Sequence, residues 1–184
     1  MQTRACFESL NASEDPVARQ KLLTRSFALA EFRQMLRENP SRGALVDFQS
    51  RHKHLLLACD EGKLRRMGPL VAACGQRPLE EILEEYGELL ASALARTPRR
   101  SGIINALQHA FGYFSERVSA PERMHFLGLI EEYREGRIPL SALLTLLWSW
   151  ILRFDERYLA SQSFYRPRPR LVEPGGERRR EEST

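Results

Sequence analysis

The sequence predicts an all-α protein, a single-domain helical bundle of about seven helices with a central apolar C-terminal helix. Three observations point there. Apolar residues recur at spacings of three and four along the chain, and no run alternates as a strand does. Proline, glycine and capping residues punctuate these runs at helix-length intervals. The stretch "PLSALLTLLWSWIL", Pro139 to Leu152, is apolar almost all round, as a helix enclosed by others would be, and too short to span a membrane.

A first helical region runs from Asp15 to Arg37 and ends at "ENP", because Pro40 keeps the preceding residue in extended backbone. The second starts near Ser41 as a cap and carries Leu45, Phe48, His52, Leu55, Leu56 and Cys59 on one stripe. A short third helix, Gly62 to Cys74, contains Gly68 and Pro69, which predict a kink or break, and Gly75 stops it. In the fourth, Pro78 suits the first turn, Glu80 and Glu81 complement the N-terminal dipole, and Leu79, Ile82, Tyr86, Leu89 and Ala93 form the buried stripe. The basic linker "RTPRRSG" leads to the fifth, whose apolar face is Ile103, Leu107, Ala110, Phe111, Phe114 and Val118. Ser119, Pro121 and Glu122 make a capping box for the sixth, which buries Phe126, Leu127, Ile130 and Tyr133 and stops at Gly136. The seventh follows from Pro139, and a short element surrounds "DERYLASQ". The expected organisation is an N-terminal extension at 1–14, one helical domain at 15–172 and a disordered tail at 173–184, where "VEPGGERRREEST" has almost nothing to bury.

A chain of 184 residues with 42% hydrophobic and 28% charged side chains can bury one core without disulfides. Cys6, Cys59 and Cys74 are odd in number and scattered, which argues against a disulfide framework, a zinc ribbon or an iron–sulfur motif. The opening residues lack the apolar core of a signal peptide, so the expected location is the cytoplasm and no membrane partner is expected. No P-loop, dinucleotide fingerprint or Ser/His/Asp arrangement is visible, so no cofactor and no catalytic residue is assigned. The net charge of +4 permits an acidic partner without requiring one, so the distribution of arginines has to decide.

Two stretches carry chemistry. In "NALQHAFGYF", Asn105, Gln108, His109 and Gly112 fall at i, i+3, i+4 and i+7, so two amides, an imidazole and a glycine share one helix face. Either these polar groups bond to neighbouring helices and Gly112 permits close packing, or the face floors a pocket for a planar ligand such as a nucleobase, with Tyr113 or Phe114 to stack on it. In "FQSRHKHLLLAC", Arg51 and Lys53 flank His52, either as phosphate contacts or as an ordinary solvated face. His52, Cys59 and His109 would supply metal ligands only if the second and fifth helices faced each other. Nothing has the tight spacing of a metal motif, so no metal is assigned. Cys59, on a core stripe, is a poor nucleophile because a buried thiol stays protonated.

Taken together, "LVDFQSRHKHLLLAC", "LEEILEEYGELLASAL", "NALQHAFGYF", "IEEYREGRIPLSALLTLL" and "YLASQSFYRPRPRL" resemble the YbgA-like family, a helical domain of unknown function. The resemblance runs from about Phe27 to Leu171. Similar domains occur fused behind thiouracil-desulfidase-like domains, in enzymes that look like removers of sulfur from 4-thiouridine in tRNA, and the resemblance implies that the helical part engages the RNA. The positions that match are Phe48, His52 and Lys53, then Asn105, Gln108, His109, Gly112 and Tyr113, and finally Tyr133, Gly136, Pro139, Gln162, Tyr165, Pro167 and Pro169. Departures stand at Gln49, Cys59 and Ile103, where similar sequences often carry histidine. The cysteine-ligated desulfidase domain has no counterpart among three scattered cysteines, so the chain alone is not expected to desulfurise.

The function expected is that of a non-catalytic RNA-binding module, engaging tRNA. Arg51, Lys53, Arg96, Arg99 and Arg100 would contact phosphates, and His52, Asn105, Gln108, His109, Gly112 and Tyr113 would form the pocket. A rival is a protein-interaction module that docks onto a separate desulfidase or RNA-modifying enzyme through an apolar patch near Trp148 and Trp150. A third is a small enzyme with His109 as acid–base and Asn105 orienting the substrate.

Overall fold

Eight helices and no strand form within residues 16–166, the part described by the computed structural model, with side chains from residue 25 onward. They are α1 Pro16–Glu38, α2 Arg42–Cys59, α3 Glu61–Ala72, α4 Leu79–Leu94, α5 Arg100–Gly112, α6 Ala120–Arg134, α7 Leu140–Arg153 and the single turn α8 Arg157–Ser161. The extension at 1–14, the tail at 173–184, and Pro167 and Pro169 lie outside the described residues.

Local chemistry sets the helix ends. Ser41 Oγ accepts the Ala44 N–H at 3.2 Å and opens α2. Asp60 ends α2 and caps α3, its carboxylate accepting the Lys63 N–H at 3.1 Å, so the two helices meet with one residue between them. Ser119 and Glu122 form the capping box of α6, with the Ser119 N–H donating to Glu122 at 2.8 Å. Gly75 and Gly136 stop their helices with φ of 107° and 82°, a backbone that favours glycine.

The centre of the bundle is α2, which packs against α1, α3, α4 and α5 and buries Leu45, Phe48, Leu55, Leu56 and Ala58. The expectation of a central α7 is not met. That helix buries Leu143, Leu147, Trp150 and Ile151, but Ser141, Thr145, Ser149 and Leu152 face solvent, so it is an amphipathic helix at the side of the bundle. One smaller expectation narrows and two change. The third helix does not break at Pro69, one of the two outcomes expected there, because Pro69 and Arg65 are both exposed and the freed Arg65 carbonyl can turn to water. The fifth ends at Gly112, and Phe114 and Val118 are buried from the turns that follow. Leu127 is exposed on α6 instead of buried.

Two aromatic clusters consolidate the bundle. Phe32, Phe48 and Tyr86 join α1, α2 and α4, while Trp150 contacts Phe111, Phe114 and Phe126 and joins α5, α6 and α7. No helix among the described residues is long and apolar enough to cross a membrane.

Candidate functional site

Helices α2 and α5 run antiparallel and very close. A Cβ on Gly102 would lie 2.4 Å from the Ala58 carbonyl oxygen, so the glycine is what lets the backbones approach. Beside this crossing opens a cleft of about 500 Å3, with buried Leu57 and Ala58 in its lining and exposed Glu61, Arg96 and Arg99 around them. Asn105 enters it half-buried and its Nδ2 donates to Glu61 Oε2 at 3.4 Å. Glu61 also pairs with Arg65 at 2.6 Å. Asp60 faces Lys63 Nζ at 3.4 Å and Arg96 at 3.9 Å. The backbone N–H of Lys63, with lesser help from the Lys63 side chain and Arg96, holds the Asp60 carboxyl below its ordinary range. The Arg99 guanidinium makes no ion pair or hydrogen bond among the described residues. Cys59 borders the cleft as a protonated thiol, since burial pushes its pKa up to about 11 against the pull of Arg25.

The other end of the α2–α5 pair is closed by the chain after α8. Gln162, fully buried, donates its amide to the Ser50 carbonyl at 2.6 Å and accepts the His54 N–H at 3.1 Å. The Ser163 N–H donates to the Arg51 carbonyl at 2.9 Å. Tyr165 donates its hydroxyl to the Ala106 carbonyl at 2.8 Å and stands 2.6 Å from His54 Nδ1. A tyrosine has one hydroxyl hydrogen, so with Ala106 taking it, His54 Nδ1 carries a proton and donates to Tyr165. Replacing Tyr165 with Phe strips partners from both the Ala106 carbonyl and His54, at an expected cost of about 2 kcal/mol. Urea unfolding monitored by circular dichroism measures it, and wild-type stability would mean that the chain of bonds is not formed.

The expected pocket residues therefore separate. His52 is only 2% exposed and joins no pocket: its Nε2 meets Glu31 at 2.9 Å and its Nδ1 meets Ser163 at 2.8 Å, tying α2 to α1 and to the closing segment. The bond from His52, then the charge of Arg51, keeps the Glu31 carboxyl below its ordinary range despite partial burial. Asn105 alone of the α5 polar face lies in the cleft; Gln108 and His109 are exposed outside its lining. Gly112 opens no gap and serves no close approach, because a Cβ there would meet nothing within 4 Å. Tyr113 is 44% exposed and already stacks on Tyr158, with centroids 5.6 Å apart.

The basic residues separate too. Arg96 and Arg99 border the cleft, whereas Arg100 sits over the Tyr133 ring and donates to the Arg134 carbonyl at 3.0 Å, serving the end of α6. Arg51 pairs with Glu31 at 2.6 Å, and Lys53 is exposed near His54. Among the described residues no three His, Cys, Asp or Glu side chains gather as a metal site. Trp150 is 3% exposed and Trp148 half-buried, so the tryptophans themselves offer little surface, although Leu152 beside them on α7 is exposed; Met124 and Leu127 are exposed on α6. Sequence reasoning missed His54 and Glu31 altogether, since their partners lie on other helices or more than a hundred residues along the chain.

The profile of the family described as "Protein of unknown function (DUF1722)" matches residues 53–169, which take in the end of α2 from Lys53, the cleft and the closing segment. "Uncharacterized protein YbgA" of Escherichia coli (strain K12) is 30% identical over 151 residues, covering 82% of this chain and 89% of that protein. The chain belongs to the YbgA-like DUF1722 family. A match of that length within 184 residues takes in the α2–α5 pair, and the family profile reaches the segment that closes it. No solved structure matches the chain.

Proposed function

We propose that this DUF1722 protein is a non-catalytic RNA-binding module that engages tRNA. The observation that carries the reading is the cleft itself: half-buried Asn105 stands with Arg96 and an Arg99 whose guanidinium has no protein partner among the described residues. An arginine without an acidic partner, as Arg99 is, favours phosphate, and a half-buried amide favours a base or sugar edge. Lys53 and His109 add exposed polar and cationic groups toward the other end of the same helix pair. From Gly102 to His109 the helix rises about 10 Å, enough to follow successive backbone phosphates. The resemblance to domains fused behind desulfidase-like domains, which act on thiolated tRNA, supports the same class of partner.

Binding should weaken as salt rises, because each neutralised phosphate releases a counterion. Gel-shift titrations of bulk tRNA at several salt concentrations should give a linear log–log slope. Arg96→Ala with Arg99→Ala should flatten that slope by roughly two counterions, while Arg100→Ala leaves it unchanged. No binding of bulk tRNA at low salt would end the proposal.

The second reading, docking onto a separate RNA-modifying enzyme, draws on Met124, 69% exposed, and Leu127, 39% exposed. It would show as a complex that resists RNase and is lost on Met124→Glu.

A further inference from the structure

We propose that the cleft takes one unpaired guanosine nucleotide, with its phosphate on Arg99 and Arg96 and the donor edge of its base on Glu61. The inference rests on the RNA reading above and assigns it a nucleotide.

A volume of about 500 Å3 falls within the range of small-ligand sites, roughly 300–1,000 Å3. The lining combines three kinds of surface. Leu57, Ala58 and Gly102 give the small apolar part of a mainly polar wall, against which a base can rest. Arg96 and Arg99 give the cationic part, and of the two Arg99 has no competing carboxylate among the described residues. Glu61 gives an acceptor, and Asn105 offers a carbonyl oxygen as well as the amide that already reaches Glu61.

The two carboxylates are not equivalent. Asp60 caps α3 through the Lys63 backbone N–H and pairs with the Lys63 ammonium and Arg96, so drawing it to a ligand would undo a helix end. Glu61 is held by Arg65, 78% exposed, on one oxygen and by a long 3.4 Å bond from Asn105 on the other, contacts of the kind that water and a ligand displace readily. The available acceptor is therefore a carboxylate with two parallel lone-pair directions. Among the four standard bases, only guanine presents two adjacent donors, N1–H and the 2-amino group, without an acceptor between them. Adenine and cytosine set a ring nitrogen acceptor beside their amino group, which a carboxylate repels, and uracil has one N–H between two carbonyls. A charge-assisted pair of parallel bonds selects guanine on the chemistry of the donors alone. An RNA-bound guanosine must be unpaired to present that edge, as single-stranded loops and ends do.

Competition against labelled tRNA with the full chain tests this, using GMP, AMP, CMP and UMP, together with direct calorimetric titration of GMP. GMP should displace tRNA at about tenfold lower concentration than CMP or UMP. Glu61→Gln should abolish that preference and raise AMP relative to GMP, since an amide pairs with adenine, while leaving the salt slope for tRNA in place. Arg99→Ala should weaken all four nucleotides alike. A short oligonucleotide with one unpaired guanosine, compared with free GMP, tells an RNA-borne ligand from a free nucleotide. If tRNA binds but the four mononucleotides compete equally or not at all, the cleft proposal is overturned and the RNA reading stands. If GMP binds and tRNA does not, the RNA reading falls and the cleft proposal survives. If neither binds, both fall.

Discussion

Gly102→Ala should lower the unfolding free energy by about 3 kcal/mol, at the upper end of what overpacking costs, and Gly102→Val by more. The reason is the identity of the atom in the way. A Cβ at this position would sit 2.4 Å from the Ala58 carbonyl oxygen and 3.2 Å from its carbonyl carbon, both backbone, so no side-chain rotation relieves the clash. Helices α2 and α5 would have to move apart, and the crossing they form is the most extensive helix contact in the bundle. For a chain of this size the loss corresponds to a fall in melting temperature of roughly 6–12 °C. Gly128→Ala is the matched control: it lies exposed in α6, a Cβ there would meet nothing within 4 Å, and the change should stabilise by up to about 1 kcal/mol. Thermal melts of the two variants side by side decide the matter. If Gly102→Ala melts with the wild type, the backbones are not as close as described, and the cleft beside them would have a different shape.

Nothing in the sequence singles out Gly102 from Gly128, and the contrast marks where periodicity stops being informative. Stripes of apolar residues, Ser41, the Ser119–Glu122 box, Gly75 and Gly136 are local signals, and each fell where the chemistry of helix ends put it. Which helix is central is not local. The composition of α7 is more apolar than that of α2, yet α2 takes the middle because Arg51 and Lys53 among its charged residues reach the surface or a partner while Phe48, Leu55 and Leu56 are buried on one side and His54, Leu57 and Ala58 on another. The candidate site shows the same division. The i, i+3, i+4 pattern placed Asn105, Gln108 and His109 on one helix face, and they are indeed its outward, polar side. Whether that face is roofed depends on what lies across from it. Asp60, Glu61 and Arg96 roof Asn105, and nothing roofs Gln108 or Gly112. His52 looked like a pocket residue by its spacing and proved to be a bridge, since Glu31 and Ser163 arrive from opposite ends of the chain. Arg100 likewise stands next to Arg99 in sequence, but Arg99 is the extended residue that precedes the helix, with ψ of 150°, and Arg100 is its first helical residue, which reaches Tyr133 and the end of α6.

Acid should weaken the fold through His54 by about 2 kcal/mol between pH 7 and pH 5. Burial, then the nearby His109 and Lys53, depress the pKa of this histidine from 6.5 to about 4. The unfolded chain therefore binds a proton that the folded chain refuses. The stabilisation from keeping His54 neutral is fully present above the unfolded value of 6.5, declines as pH falls below it, and is gone near the folded value of about 4. Geometry explains why the charged form is excluded: the ring is 4% exposed, donates Nδ1–H to Tyr165, and has Lys53 and His109 nearby but no carboxylate partner among the described residues. Glu31, the carboxylate bonded to His52, titrates below its ordinary 4.5 and so adds its own loss only beneath this window. His54→Asn removes the titrating group while its amide can still donate to Tyr165. It should start less stable at pH 7, because a smaller side chain leaves space, and its melting temperature should then change less between pH 7 and pH 5 than that of the wild type. The slope is the diagnostic, not the starting value. Parallel slopes for the two proteins would mean that His54 is charged in the folded state, and that the buried chain from His54 through Tyr165 to Ala106 does not close that end of the helix pair.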